Sequence, residues 1–201
     1  MDNLQKYIFD ASCGKANSSG KCCRFFNLGN GVGLKLYESV LSGGFSYVCQ
    51  KIYEKYDLAP KVYGYIFVNQ QFGYLTEIGN IFYRQIDKLS HEEVDIAYNL
   101  AYDLSTRSIE GLVAKDLHEY NFGAYRTKDG IQIKVTDFSA FVFEHNGTEY
   151  GEWNWGCTDS PFYSNLCRVL CAEQRIVKQY KQDITKLYEV KLPYSFVKGF
   201  R

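Results

Sequence analysis

The turn Thr127-Lys128-Asp129-Gly130, with a strand-like segment on either side, constrains this chain more than any other stretch. A tight turn lays two antiparallel strands side by side, so residues at their outer ends become neighbours. Asp116 and Asn121 lead into the first segment, and Val135-Thr136-Asp137-Phe138 closes the second. An aspartate, an asparagine and a second aspartate are thereby gathered at one end of a strand pair. A few oxygen ligands of this kind suit Mg²⁺, which keeps several waters and leans on substrate phosphates.

Upstream, residues 6–12 read as a strand, followed by the small-residue loop Cys13-Gly14-Lys15-Ala16-Asn17-Ser18-Ser19-Gly20. Residues 21–28 read as a second strand, Gly29-Asn30-Gly31 as a turn and Val32–Tyr37 as a third strand. Phe45, Val48, Cys49, Ile52, Tyr53 and Tyr56 have helical spacing over 45–56, and the helix must end before Pro60. Strands at 61–68 and 72–77 complete a β-β-β-α-β-β order. Ser90-His91-Glu92-Glu93 is a capping box that opens a helix with Val94, Ala97, Leu100, Ala101 and Leu104 on one face. Thr158-Asp159-Ser160-Pro161 reads as another helix start with Pro161 at its first position. The apolar stripe behind it continues through Phe162, Leu166, Leu170 and Val177 to Leu187.

A chain of 201 residues, 46% apolar, holds one domain or two small lobes around one cleft. Its 23 basic and 23 acidic residues balance, which argues against a nucleic-acid partner. Seven irregularly spaced cysteines favour reduced thiols in a cytosolic setting. No window approaches a membrane-spanning length of apolar residues, and the start Met1-Asp2-Asn3-Leu4 has no basic-then-apolar leader. Export by a machine that needs no such leader stays open. A monomer is expected. Cys167 and Cys171 share a helical face at a spacing metals can use, but core packing is the favoured explanation. Trp153 and Trp155 flank Asn154 in an expected surface loop, either to anchor a partner or to cap the core.

The strand order, Lys35 within Gly33-Leu34-Lys35-Leu36-Tyr37, and Asp116-x4-Asn121 followed by strand-Asp137-Phe138 together resemble the protein-kinase-like superfamily over roughly residues 7–139. The resemblance implies an α+β, bilobal fold. Its small lobe (1–79) would be a five-stranded antiparallel sheet with one helix, and its large lobe (80–201) minimal and mostly helical. ATP and Mg²⁺ are the implied cofactors. Lys35 would pair with the α/β-phosphates, Asp116 would orient the acceptor hydroxyl and take its proton, and Asn121 and Asp137 would ligate magnesium. Gly14, Ser18, Ser19 and Gly20 would form a reduced phosphate loop. Thr76 would line the back of the adenine site, with the backbone around Glu77 and Gly79 holding the adenine edge. The lysine's partner on the following helix is Glu54, nineteen residues on, or Gln50, ten before Pro60; charge favours Glu54.

The sequence also departs from that pattern. Ala114-Lys115-Asp116 stands for His-Arg-Asp, Ser139 replaces the glycine after Asp-Phe, and no Ala-Pro-Glu follows. His118, in Asp-Leu-His, is similar to small-molecule phosphotransferases of the same superfamily. The expected function is a Mg²⁺- and ATP-dependent protein kinase directed at serine or threonine. The brevity of the large lobe resembles bacterial effector kinases injected into host cells, including a group acting on the host chaperone Hsp90. That resemblance implies a protein substrate, with such a chaperone as its narrowest form, and a place in a cytosol, its own or a host's. Two alternatives stand beside it: a pseudokinase or binding module, and a phosphotransferase of aminoglycoside or sugar-kinase type.

Overall fold

In the computed structural model, residues 3–19, 22–79, 81–82, 90–118, 121–181 and 185–198 are described. The central element is β3 (Val32–Tyr37), whose alternation decides two layers at once. Val32, Leu34 and Leu36 face one apolar cluster with Ile8 and Phe196. Tyr37 faces a second cluster with Tyr47, Phe72, Tyr74 and Leu170. Because both faces are covered, the neighbouring strand β4 (Val62–Val68) is buried along its whole length, as expected of a central strand packed on two sides.

The first element corrects the expected strand at 6–12. Asn3–Cys13 is a helix, α1. Ile8 and Ser12, four apart, are its buried positions, and Leu4 and Ala11 pack on the same side. The apolar run Tyr7-Ile8-Phe9 imitates a strand, but the burial follows the helical period. The first strand is only β1 (Ser18–Ser19), paired with β2 (Cys23–Gly29).

The main sheet then runs β1-β2-β3-β5-β4-β12, all antiparallel, where β5 is Gln71–Glu77 and β12 is Thr185–Tyr188. Asn69 and Gln70, with φ of 45° and 67°, make the tight β4–β5 turn. The expected five strands are therefore six, and the sixth comes from the far end of the sequence. Thr185 pairs with Val68 and Tyr188 with Tyr65, and Phe196 of the short α5 (Tyr194–Val197) is buried against the α1 face. Residues 80–201 are thus not all on the second side of the molecule, as the division at 79 anticipates.

Helix α2 (Val40–Glu54) starts five residues before the expected 45, capped by Ser39, whose side chain accepts from Ser42 N–H. Gly43 and Gly44 weaken the helical signal there, yet both are needed. A Cβ on Gly43 would lie 2.4 Å from Phe72, and one on Gly44 2.6 Å from Trp155. Trp155 is fully buried and donates its indole N–H to Leu41 O at 2.7 Å, while Trp153 is exposed.

The remaining elements are α3 (His91–Thr106), α4 (Asn165–Tyr180) and two three-stranded sheets. One sheet joins β6 (Ile81–Phe82), β8 (Phe122–Thr127) and β9 (Gly130–Val135); the other joins β7 (Leu112–Ala114), β10 (Phe141–His145) and β11 (Thr148–Tyr150). Among the described residues the second half thus carries six strands in two sheets beside its helices, against the expected mostly helical lobe. Both halves of the Ser90–Glu93 capping box are formed. Helix α4 begins at Asn165, not at Pro161. Residues 157–163 are held in turns by Ser160 N–H to Cys157 O (3.0 Å) and Tyr163 N–H to Ser160 O (3.1 Å), and Phe162 stacks on Phe143. No helix among the described residues is long and apolar enough to cross a membrane.

Candidate active site

The β3 alternation that buries Leu34 and Leu36 sends Lys35 to the opposite face, toward α2 and the β8–β9 hairpin. Register places Tyr74 directly across from it on β5. The ammonium donates to Gln50 Oε1 at 3.2 Å, to the Tyr74 hydroxyl at 3.1 Å and to the Thr136 carbonyl. The last bond ties the main sheet to the residue immediately before Asp137.

Gln50, and not Glu54, is the partner that α2 offers. Gln50 is fully buried, and its Nε2 also donates to Pro60 O (2.9 Å) and Thr76 Oγ1 (2.7 Å). Glu54 sits one turn further along, where its Oε2 accepts from Val62 N–H at 3.1 Å and lies 3.7 Å from Lys51. It caps β4 and leaves the lysine to the amide. The lysine is therefore held by neutral groups. Burial pulls its pKa down, but Tyr74, Cys23 and Asp137 nearby outweigh that and the net shift is upward, so it stays charged. A buried hydroxyl chain backs this arrangement: Tyr37 donates to Ser46 Oγ at 2.8 Å, and Ser46 Oγ lies 2.9 Å from Tyr74 OH. Burial pushes both phenols upward, which keeps them neutral donors.

Asp137 is exposed at the mouth of the cleft. Its Oδ1 accepts from Ser139 N–H at 3.0 Å, and Phe138 behind it is fully buried against Tyr53 of α2, ring centroids 5.4 Å apart. Ser139 does not have the positive φ that a glycine would be needed for, so its presence after Asp-Phe costs nothing. Lys35, Thr76, Glu77, Gly79, Thr136 and Asp137 line one cavity of about 170 Å³. A second, of about 330 Å³, continues from Cys23 and Asp137 toward Ser42, Ser46 and Glu152.

The remaining candidates lie at varying distances from that cleft. Asn121 is buried beside it. Its main-chain carbonyl accepts from Thr136 N–H at 2.7 Å, and its side-chain Oδ1 accepts from His118 N–H at 2.8 Å. Asp116 and His118 are exposed walls of a third cavity, about 570 Å³, between α3 and residues 114–118. Phe122 is a wall of both that cavity and the Lys35–Asp137 cleft, so the two are back to back. Lys115 turns away to Glu144 (3.0 Å) and Glu149 (2.8 Å), while its N–H donates to Ala140 O at 2.8 Å.

The expected phosphate loop is the part least supported by placement. Ser18 reaches the cleft wall, Ser19 is exposed in β1, and Gly14 N–H closes the end of α1 on Ala11 O at 3.1 Å. Gly20 lies outside the described residues. Cys167 is buried in α4 and burial beside Cys171 pushes its thiol up to about 11. Among the described residues no cluster of three or more His, Cys, Asp or Glu could hold a metal by itself. The residues missed by sequence reasoning are Tyr74 and Tyr125. Each is one tyrosine among 18, and only strand register shows which ones face the cleft.

No protein-family model matches the chain, and no curated protein does. Among solved structures it is similar to the Rio2 kinase of Chaetomium thermophilum, in a crystal structure of its ADP/Mg²⁺-phosphoaspartate complex. The TM-score is 0.47 with 13% identity over 98% of this chain and 63% of that one, so the chain spans less than two thirds of the kinase's length.

Proposed function

We propose that this chain transfers the γ-phosphoryl group of ATP, with Mg²⁺, to a serine or threonine hydroxyl of a protein. The observation that carries the reading is the Lys35–Thr136 hydrogen bond, which holds a charged amine beside Asp137 within one cleft. Phosphoryl transfer asks a protein chiefly for positioned phosphates and neutralised charge. Lys35 would hold phosphate oxygens, and its charge is undiminished because no carboxylate on α2 pairs with it. The residues fit a nucleotide-bridged Mg²⁺: Asp137 has an oxygen beyond the one bonded to Ser139, and Asn121 Oδ1 has a second lone pair. Bound there, Mg²⁺ would neutralise charge developing on the transferred phosphoryl group. Asp116 would take the acceptor's proton from the far side of Phe122. A host protein as substrate, with a chaperone such as Hsp90 as its narrowest form, belongs to the same proposal and follows the resemblance to effector kinases.

A second reading, nucleotide binding without turnover, is favoured by one observation: Asp116 lines a separate cavity from Lys35 and Asp137. Transfer from γ-labelled ATP to the protein itself, followed by intact-mass measurement, separates the two. Label in the wild type that vanishes in Asp137→Ala and Asp116→Ala is the expected result. Equal label in wild type and Asp137→Ala would sink the proposal. A rise in melting temperature with Mg-ATP and no label would establish the second reading.

A further inference from the structure

The groove on the far side of Phe122 from Lys35 is larger than the two cavities around Asp137, about 570 Å³ against about 170 and 330 Å³. One of its walls carries Asp116 and His118. The other is a single face of α3, where Ala97 and Ala101 pack on the core beside Leu117 and form the floor. Tyr98 and Tyr102 stand at the rim, 72% and 73% exposed. Being four residues apart, they lie one above the other on the same side of the helix. A single surface ring needs no explanation, but two neighbouring rings along a groove make a continuous apolar surface of the kind that binds a partner.

Charge narrows the choice of partner. Asp116 lies in the groove wall, and the exposed Asp95, three residues before Tyr98, shares that side of α3. Among the described residues neither carboxylate is in an ion pair. The cations nearby in sequence are already matched: Lys115 lies 3.0 Å from Glu144 and 2.8 Å from Glu149, and Arg107 at the end of α3 lies 2.6 Å from Asp103. A chain with 23 basic and 23 acidic residues thus presents, at this one place, negative charge beside two exposed π faces. An arginine answers both, because its planar guanidinium stacks on tyrosine rings and its fork of donors matches a carboxylate. A second copy packed face to face would set Asp95 and Asp116 against their own images, and an anionic membrane or nucleic acid would be repelled.

We propose that this groove receives an arginine-bearing peptide segment of another protein, with the guanidinium stacked on Tyr98 and Tyr102 and paired with Asp95, and that this segment presents its hydroxyl to Asp116. The part played by Asp116 rests on the phosphoryl-transfer reading above; the arginine site does not. Tyr98 and Tyr102 are then the residues that set acceptor specificity, on a wall that the Lys35–Asp137 cleft does not share. Two exposed cation–π contacts together are worth about a five- to thirtyfold difference in affinity.

The test is fluorescence anisotropy with a labelled serine peptide carrying arginines beside the serine, and with the same peptide carrying citrulline, an uncharged isostere, in their place. The proteins are wild type, the double variant Tyr98→Leu with Tyr102→Leu, and the double variant Tyr98→Phe with Tyr102→Phe. Wild type is expected to prefer the arginine peptide by at least about fivefold. The leucine variant should bind that peptide about five- to thirtyfold more weakly, and the phenylalanine variant, which keeps both rings, within about twofold of wild type. No arginine preference in wild type, or no loss in the leucine variant, overturns the proposal. So does a wild-type dimer in sedimentation that the leucine variant disperses, since a second copy would then cover the groove. Arginine preference with no label transferred from ATP to either peptide keeps the arginine site and removes the phosphoryl-transfer reading. Label transferred equally to both peptides keeps that reading and overturns the arginine site. Both side chains are exposed, so the urea midpoints of the three proteins should agree, and agreement confirms that folded molecules are being compared.

Discussion

Replacing Gln50 with leucine removes an amide whose whole hydrogen-bonding capacity is in use. A glutamine side chain has two donors and two strong acceptor sites. Here Oε1 accepts from Lys35 at 3.2 Å and Tyr74 at 2.9 Å, and Nε2 donates to Pro60 O at 2.9 Å and Thr76 Oγ1 at 2.7 Å, with no exposure to water. Leucine is of similar size, so no cavity opens and the loss is polar. Tyr74 keeps Ser46, Thr76 keeps its own bond to Lys61 O, and Lys35 keeps Thr136 O, so these three lose roughly 0.5–1.5 kcal/mol each, the charged one most. The Pro60 carbonyl loses the donor it has from Gln50, at about 1–3 kcal/mol. Burying a larger apolar group returns about 1 kcal/mol. The net expectation is a destabilisation of about 1.5–6.5 kcal/mol. Urea unfolding should show a lower midpoint with an unchanged slope. Gln50→Glu separates packing from charge. Its carboxylate would face Lys35 favourably but would also face the Pro60 carbonyl with no proton to offer. It should lose less stability than the leucine variant and raise the cost of bringing phosphates to Lys35. A leucine variant within about 0.5 kcal/mol of wild type would refute this reasoning, because the four bonds would then contribute nothing.

Two further perturbations follow from the fold. Glu173 of α4 accepts from Lys186 at 2.7 Å and Tyr188 at 2.8 Å with its carboxylate largely buried, so Glu173→Ala should cost about 1–3 kcal/mol, discounted for the half-exposed lysine, and speed amide exchange in β12 while leaving β8 and β9 protected. Among the cysteines, burial holds the Cys49 thiol well above its ordinary value and Cys167 at about 11, so both stay protonated near pH 8; brief alkylation read by peptide mass should mark the exposed Cys13 and Cys157 first, and early labelling of Cys49 would mean that α2 opens readily.

How much of this was legible beforehand depended on the range of the signal. The Ser90–Glu93 box, the Gly29-Asn30-Gly31 turn and strands β3 to β5 are encoded within a few residues, and they fold as their local patterns indicate. The hairpin that carries Asn121 and Asp137 was equally plain, since its turn chemistry and spacing are local. Helix α1 was lost because three apolar residues in a row outweighed a weaker four-residue period. Strand β12 was lost because an edge strand recruited from the far end of the chain leaves no local trace; Leu187 continued an apolar stripe just as well in a helix. The identity of the lysine's partner turned on a rotation of α2. Gln50 and Glu54 share one helical face, and only the position of β3 against that helix decides which of them meets Lys35.

Charge logic favoured Glu54, and the reason it fails says something about the site. An ion pair between α2 and Lys35 would hold the helix by an attraction that weakens as the helix moves. Here α2 is held by shape instead. Gly44 lets Trp155 pack where a Cβ would lie 2.6 Å from its ring, Gly43 does the same for Phe72, and Tyr53 meets both Phe138 and Phe141 at 5.4 Å. Close-packed contacts of this kind give up their energy within an ångström or so of displacement. An outward swing of α2 would strand the four bonds of Gln50, uncover Trp155 and pull Tyr53 off the ring next to Asp137 in one event. The same contacts that fix α2 also fix Phe138, and through it the start of the Asp137 turn. Lys35 and Asp137 are consequently positioned by one apolar unit, with the neutral amide of Gln50 leaving the lysine's full charge directed into the cleft.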